Sequence, residues 1–426
     1  MPTTITEKPH VVIVGGGFGG VHAAQHLKHA DVHITLVDKR NFHLFQPLLY
    51  QVATGGLSPA NVAVPLRSIF KRQRNVQVLL GDAVDIDLEN RRLILADGSL
   101  PYDVLILAAG ATHHYFGHDN WPGLAPGLKT IEDATTIRRR ILLAFEAAER
   151  TQDPNALRAL LTFIIVGAGP TGVELAGALC EIAKHTLRNE FRKIDPSQAR
   201  VILLELGPRV LPSFPEKLSE KAAAILDRLG VSVRTGAKLK DIDSASITVE
   251  VSGREENIPT LTVLWAAGVR ASPLGGMLAA RAGSRIDAAG RVEVAPDLTV
   301  PGHPDVFIIG DLAACKSAKG TSLPAIAPVA IQQGKYVAEL IQGRLAGRPS
   351  KPFRYRDPGM MATIGRSAAV AHLGRIQLSG LLAWLAWLFV HLANLIQFEN
   401  RILVLTQWAW SYFTWNRSAR LITGDL

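Results

Sequence analysis

Gly15, Gly17 and Gly20 stand in the segment VVIVGGGFGG at 11–20, and Gly167, Gly169 and Gly172 repeat their spacing in FIIVGAGPTG at 163–172. In each copy an apolar, β-branched run reads as a buried parallel strand, and the Gly-x-Gly-x-x-Gly turn after it opens a helix. Glycines at this spacing let the backbone turn tightly and approach a pyrophosphate, whose charge is met by free amides and the positive end of the helix dipole. An ordinary Gly-rich turn is the bland alternative for one such match. Here both copies are followed by an acidic strand end, Asp38 in ITLVD and Glu205 in VILLE. A carboxylate at that place accepts hydrogen bonds from ribose hydroxyls. Glu205 suits a 2′-hydroxyl better than a 2′-phosphate, which favours NADH over NADPH, with Arg209 as the nearby cation that argues the other way. Two dinucleotide sites on one chain imply that one dinucleotide reduces the other, and the pair that exchanges hydride directly is a nicotinamide and a flavin. The residues therefore read as a flavoprotein oxidoreductase.

The elements that must hold these residues follow along the chain. LPYDVLILAAGA at 100–111 is a strand ending in Ala109-Gly110, small residues that allow a cofactor close to the backbone. TVLWAAGV at 262–269 closes the second unit in the same way, with Gly268 as the corresponding small residue. DVFIIGDLA at 305–313 is a further strand, ending in Gly310-Asp311, and LPAIAPVAIQQGKYVAELIQGRL reads as a helix with Pro328 near its first turn. Between these elements FHLFQPLLYQVATGGLSPANVAVPLR is a loop too apolar for a solvated linker, so it is expected to cover a ligand. Tyr50 and Gln51 within it either line the flavin or serve packing. The fold class expected is α/β, with two Rossmann-like dinucleotide-binding domains and a C-terminal helical membrane-binding region. The boundaries expected are 1–121 with 271–350 for the FAD domain, 122–270 for the NADH domain and 351–426 for the membrane-anchoring region.

The 426 residues have room for two or three domains with real cores, and 48% hydrophobic against 19% charged residues describes a folded chain with an apolar bias. Cys180 and Cys315 are the only cysteines, too few for a disulfide framework, which points to a reducing compartment. The start, MPTTITEKPH, lacks the apolar run of a signal peptide, so the protein is expected to stay where it is made. A formal charge of +9 raises nucleic acid and anionic membranes as partners. No basic helix, zinc spacing or RNA-binding signature supports nucleic acid, and the C-terminus supports a membrane.

In their order, GGGFGG, LILAAG, GAGPTG and IIGD resemble the two-dinucleotide-binding flavoproteins, which hold FAD in a first domain and the nicotinamide in an inserted second one. Within them NFHLFQPLLYQVATG, GATHHYFGHDNWPG, GPTGVELAG and AWLAWLFVHLANLIQFENR resemble the type II NADH:quinone oxidoreductases, over nearly the whole chain. The resemblance implies that Gly15, Gly17, Gly20 and Asp38 hold the ADP part of FAD and that Asp311 bonds its ribitol. It implies likewise that Gly167, Gly169, Gly172 and Glu205 hold NADH, and that Glu174 lies near nicotinamide and flavin. The family's quinone signature Ala-Gln-x-Ala-x-Gln departs here to Ala327-Pro328-Val329-Ala330-Ile331-Gln332, so only Gln332 carries over. A proline at the helix start suits a helix end that faces the flavin pyrimidine and stabilises the reduced ring. The implied reaction is hydride transfer from NADH to FAD, then two-electron reduction of a membrane quinone in a respiratory chain, with no proton pumping. The alternatives are a sulfide:quinone oxidoreductase, which needs paired redox cysteines beside the flavin, and a non-enzymatic flavin redox sensor.

Of the remaining reactive side chains, Cys180 reads as core, His113 and His114 as a loop pair without further ligands at metal spacing, and no metal is expected. Cys315 follows Asp311 without a supported redox role. In the tail, 23 uncharged residues, IQLSGLLAWLAWLFVHLANLIQF, would reach roughly 34 Å as one helix at about 1.5 Å per residue. That length could span a bilayer. The faces differ, however: Trp384, Trp387 and His391 fall on one side, and Leu382, Leu385 and Phe389 on the other. Five of the seven tryptophans lie in this stretch and in ILVLTQWAWSYFTW after it, and Trp prefers the headgroup layer. The expectation is therefore a monotopic protein lying in the membrane plane at the cytoplasmic face of the cell membrane, with a homodimer left open.

Overall fold

The computed structural model describes residues 8–317, 320–349 and 351–424. The chain forms two compact units. The first takes the described residues up to Leu44, with Ala63–Thr112 and Val269–Asp357. The second takes Phe45–Val62, His113–Gly268 and the described residues from Pro358 onward.

The first unit is built on a six-stranded sheet in the order Thr299–Val300, His303–Ile308, Val104–Leu107, His10–Val14, His33–Asp38 and Val76–Leu80. Every pairing is parallel except the Thr299–Val300 edge. Val11, Val12 and Ile13 are wholly buried, which is why the strand reads as a continuous apolar run rather than an alternating one. The fingerprint strand His10–Val14 lies between Val104–Leu107 and His33–Asp38, so the strand order reverses at its carboxyl end. Open parallel sheets hold their ligands at that switch point.

In the second unit four parallel strands run in the order Val231–Arg234, Arg200–Leu204, Thr162–Val166, Thr262–Trp265. The second fingerprint strand is again flanked on both sides, and Phe163, Ile164 and Ile165 are fully buried. The apolar segment read as a loop is partly helical, with a short helix at Leu49–Ala53 that buries Leu49, Tyr50, Val52 and Ala53. This explains its composition: the segment is packed structure.

The tail differs from a single long helix. Ile376–Gly380 is the last strand of an antiparallel sheet with Met360–Thr363 and Ala369–Leu373. Two helices follow, Leu381–Asn394 and Phe398–Thr414. Leu395 is extended between them, and its carbonyl accepts from the Arg401 guanidinium at 2.8 Å, so the break is satisfied by a side chain. Among the described residues no helix is long and apolar enough to cross a membrane. Within Leu381–Asn394 the two faces separate as the periodicity predicts: Trp387 is 2% exposed, whereas Leu382 and Phe389 are 67% and 71% exposed.

Candidate active site

In the first unit Gly15 has φ +106°, and a Cβ there would run into the Ala108 carbonyl. Gly20 packs its helix so closely that a Cβ would strike the Gly15 carbonyl. Above Gly17, by contrast, nothing lies within 4 Å. The helix it opens, Phe18–His26, has no side-chain cap and no acid in its first turn. Open amides at the positive end of a helix dipole fit an anionic group such as a pyrophosphate. Asp38 takes the Gly16 amide on one oxygen at 2.6 Å and the Arg40 amide on the other at 2.7 Å. Burial raises its pKa, and these two amides oppose the rise.

The same frame recurs in the second unit. Gly167 has φ +98°, a Cβ on Gly172 would strike the Gly167 carbonyl, and the space above Gly169 is open. Helix Pro170–Glu181 begins without a side-chain cap or an acid in its first turn. Glu205 accepts from the Ala168 amide at 2.7 Å and the Gly207 amide at 2.8 Å, which fixes the carboxylate over the glycine turn. Arg209 is turned away into its own loop, donating to the carbonyls of Phe214 at 2.7 Å and Pro212 at 2.8 Å. That guanidinium is thus already engaged. Gly268, at φ +72°, is covered by the ring of Phe116.

Of the other first-unit residues, Gly110 has φ +67° and open space where a Cβ would stand. Ala109 precedes it and is partly exposed. Asp311 lies in a short turn, Gly310–Leu312, after the strand His303–Ile308. Helix Ala327–Leu345 starts at an extended Ile326, carries Pro328 in its opening turn and has no acid there. Its Gln332 uses both ends of its amide on one residue, donating to the Arg356 carbonyl at 2.7 Å and accepting the Arg356 amide at 2.9 Å. The neighbour that the motif does not single out, Gln333, is wholly buried and accepts the Gly310 amide at 2.6 Å. Only its place one residue after Gln332 could have suggested it.

Glu174 lies one turn into helix Pro170–Glu181, where it keeps some accessible surface at the bottom of a dense surround. Burial pushes its carboxyl up to about 8, against which the Thr363 amide at 3.5 Å pulls only weakly. It therefore holds a proton at neutral pH. Tyr50, buried on Leu49–Ala53, feels the Glu174 charge and is itself driven above the usual phenol range, mainly by burial. Gln51 donates to the Tyr50 hydroxyl at 2.9 Å, and the Trp408 indole donates to Gln51 Oε1 at 2.7 Å. Residues 357 positions apart meet here, and nothing in the sequence marks Trp408 from its neighbours.

Residues 9–334 match the pyridine nucleotide-disulphide oxidoreductase family, and 358–415 match the NDH2 C-terminal domain. The type II NADH:quinone oxidoreductase Ndh of Mycobacterium tuberculosis is 48% identical over 99% of this chain and 92% of its own length. NdhA of the same organism is 47% identical over 100% of this chain and 92% of its own. The chain belongs to the type II NADH:quinone oxidoreductases. In fold it matches NDH2 from Plasmodium falciparum, solved in complex with NADH, with a TM-score of 0.88 at 20% identity over 98% of this chain and 100% of that one. The sulfide:quinone oxidoreductase of Aquifex aeolicus matches less well, at a TM-score of 0.70 and 18% identity, over 98% of this chain and 93% of that one.

As a type II NADH:quinone oxidoreductase the chain uses FAD and NADH, and the open amides at Gly17 and Gly169 accord with two pyrophosphates. The sulfide reading is not favoured. Cys180 and Cys315 are both free and buried, and burial pushes the Cys180 thiol up to about 12 and raises Cys315 as well. A redox or nucleophilic cysteine needs the opposite shift.

Proposed function

We propose that this chain takes two electrons from NADH and delivers them to a membrane quinone while lying on the cytoplasmic face of the membrane, where NADH is available. The observation that carries the reading is the duplicated frame: an uncapped helix amino end and a carboxylate fixed beside it, once in each unit. Gly15, Gly17, Gly20 and Asp38 hold the ADP part of FAD, with Ala109, Gly110, Gly310 and Asp311 along the rest of it. Gly167, Gly169, Gly172, Gly268 and Glu205 hold NADH. FAD, when bound, supplies the electron relay that no side chain can.

The side chains have defined tasks around it. Glu205 meets the ribose 2′-hydroxyl and repels a 2′-phosphate, and Arg209, folded back on its loop, does not offset that. Reducing a quinone consumes two protons with two electrons, and Glu174 holds one at neutral pH. Gln332 braces the Arg356 backbone, so its part in the quinone site is to shape the wall of the site, unless that brace opens. The outward apolar residues Leu382, Phe389, Phe398, Trp410 and Phe413 form the membrane contact through which a long-tailed quinone enters.

The deciding experiment is an anaerobic titration of the FAD-loaded protein with NADH, then with quinone, followed by flavin absorbance. Stoichiometric bleaching by NADH and recovery with quinone at turnover rates support the reading. Slow reduction without turnover would make the protein a redox sensor. Sedimentation with and without liposomes separates membrane binding from a homodimer that covers the same apolar face.

A further inference from the structure

Phe116 has a left-handed backbone, φ +51°, which bulky side chains rarely adopt, and it is 60% exposed, so burial of its ring does little to offset the strain. The residues around it are firmly held. The Trp265 indole donates to the His114 carbonyl at 3.1 Å, the His114 amide donates to the Gly268 carbonyl at 3.3 Å, and the Tyr115 hydroxyl donates to the Ala125 carbonyl at 2.8 Å. What the strained conformation achieves is to lay the Phe116 ring on Gly268: a Cβ on that glycine would stand 2.7 Å from Phe116 Cζ. Gly268 in turn adjoins the fingerprint turn, since a Cβ on Gly167 would meet Ala267 Cα at 2.8 Å. Strained residues of this kind collect at ligand clamps and switch regions.

The strand order decides which part of a dinucleotide reaches that ring. Thr162–Val166, which runs into the fingerprint turn, lies between Arg200–Leu204, which leads to Glu205, and Thr262–Trp265, which leads to Gly268. With the adenosine ribose on Glu205 and the pyrophosphate over Gly169, the nicotinamide half extends the other way, toward Gly268. We propose that Phe116 is a cover on the nicotinamide half of the NADH site: its ring and the nicotinamide ribose compete for the space beside Gly268, and NADH binds when the ring swings out to solvent. The hydrogen bonds of His114 and Tyr115 do not involve the ring, so rotation of one side chain is enough. A site that is open for a fraction of the time binds in proportion to that fraction, so the cover sets the apparent affinity. This inference rests on the NADH placement proposed above.

The test uses full-length, FAD-loaded protein: native, Phe116→Ala, Phe116→Trp and Glu205→Gln. Alanine keeps a Cβ on the same backbone, so the demand for a left-handed conformation persists and only the ring is lost. Stopped-flow reduction of the flavin over a range of NADH concentrations gives a dissociation constant and a limiting rate. Competition by AMP, which lacks the nicotinamide half, gives the constant for the adenosine end. We expect Phe116→Ala to tighten NADH about fivefold, as for a ring that leaves Gly268 about one fifth of the time. Phe116→Trp should weaken NADH, while AMP binding and the limiting rate stay within about twofold in both variants. Equal NADH constants across the series, weaker NADH binding in Phe116→Ala, or an equal gain for AMP would each overturn the proposal. Should Phe116→Ala fold poorly, Phe116→Leu also shortens the cover and must tighten NADH without tightening AMP. Glu205→Gln should weaken AMP and NADH alike. If it changes neither, the adenosine end is misplaced and this inference falls with that placement; if it weakens both while the Phe116 series is flat, only the cover is wrong.

Discussion

Arg417 Nη2 donates to Glu181 Oε2 at 2.8 Å, with the two side chains only 12% and 8% exposed. This pins the segment after the last tail helix to the carboxyl end of the fingerprint helix Pro170–Glu181. The other Glu181 oxygen accepts the Arg366 amide, and the Arg366 guanidinium lies over the rings of Tyr412 and Trp415, 4.1 Å from each centroid. Arg417 also reaches the Thr54 carbonyl at 3.4 Å, and the Ala419 amide donates to Gly55 at 3.2 Å. The tail therefore grips both the helix that carries Glu174 and the short helix that carries Tyr50. It is part of the second unit's packed structure as well as its apolar surface.

Arg417→Met should be strongly destabilising, by about 3 kcal/mol, because it leaves Glu181 in a confined place without its cation. The double variant Arg417→Met with Glu181→Gln should recover much of that loss, since the carboxylate goes with its partner. Thermal unfolding of the FAD-loaded variants checks both. Equal losses in the single and double variants would mean that the arginine acts through packing alone.

Glu174 gives stability a pH dependence of known sign. Its folded-state value of about 8 lies above the ordinary 4.5, so between those limits the folded chain holds a proton that the unfolded chain has released. Stability from this group is thus greatest below about pH 4.5 and declines as pH rises to about 8. Glu174→Gln removes the titration, so its melting temperature should gain on the native protein steadily from pH 5 to pH 8. Parallel curves for the two proteins would place Glu174 in an ordinary solvated setting. The same variant should keep FAD, as the fingerprint glycines are untouched, and should slow turnover.

The dinucleotide frame was legible because it is local. Gly15 to Asp38 and Gly167 to Glu205 each lie within one strand–helix–strand unit, and their hydrogen bonds close over that distance. Pro328 in the opening turn of its helix and Cys180 in the core were legible for the same reason. The sequence reads as a loop around Tyr50 because the helix there is only five residues long, and the bond that ties Gln51 to Trp408 spans 357 positions. The break at Leu395 leaves no mark in the sequence either: it has no proline or glycine, and it depends on Arg401 reaching back to a carbonyl. Gln332 keeps its place in the motif, yet what its amide bonds depends on the backbone at Arg356, which no spacing rule reports.

Replacing Glu205 with a neutral residue should weaken NADH and improve NADPH. In the proposed assignment the carboxylate accepts from a 2′-hydroxyl and repels a 2′-phosphate, while Arg209 is held by the Pro212 and Phe214 carbonyls. Because Glu205 also receives the Ala168 and Gly207 amides, Gln is the substitution that best preserves the turn. The ratio of kcat/KM for the two nucleotides is the measure, and a charge of this kind should move it by about tenfold. A ratio that stays within about twofold limits the contribution to about 0.4 kcal/mol and rejects the assignment.

Membrane attachment can be tested without dismantling the second unit. Deleting the tail would also remove the buried Ala383, Trp387 and Val404 and the Arg417–Glu181 pair, so a loss of function after deletion would report folding as much as binding. Leu382 and Phe389 offer a cleaner perturbation, because they point outward at 67% and 71% exposure. Carboxylates at both positions add charge and remove apolar area on a face that packs against nothing in the chain's own core. Leu382→Glu with Phe389→Glu should therefore melt within a few degrees of the native protein and be reduced by NADH at the native rate. Flotation with liposomes should fall sharply, each buried charge at an interface opposing binding, and reduction of a long-tailed quinone in vesicles should fall with it. A short, water-soluble quinone should still be reduced, because neither substitution alters a residue assigned to FAD or NADH. Undiminished flotation and undiminished turnover with the long-tailed quinone would show that the membrane meets another surface of the protein.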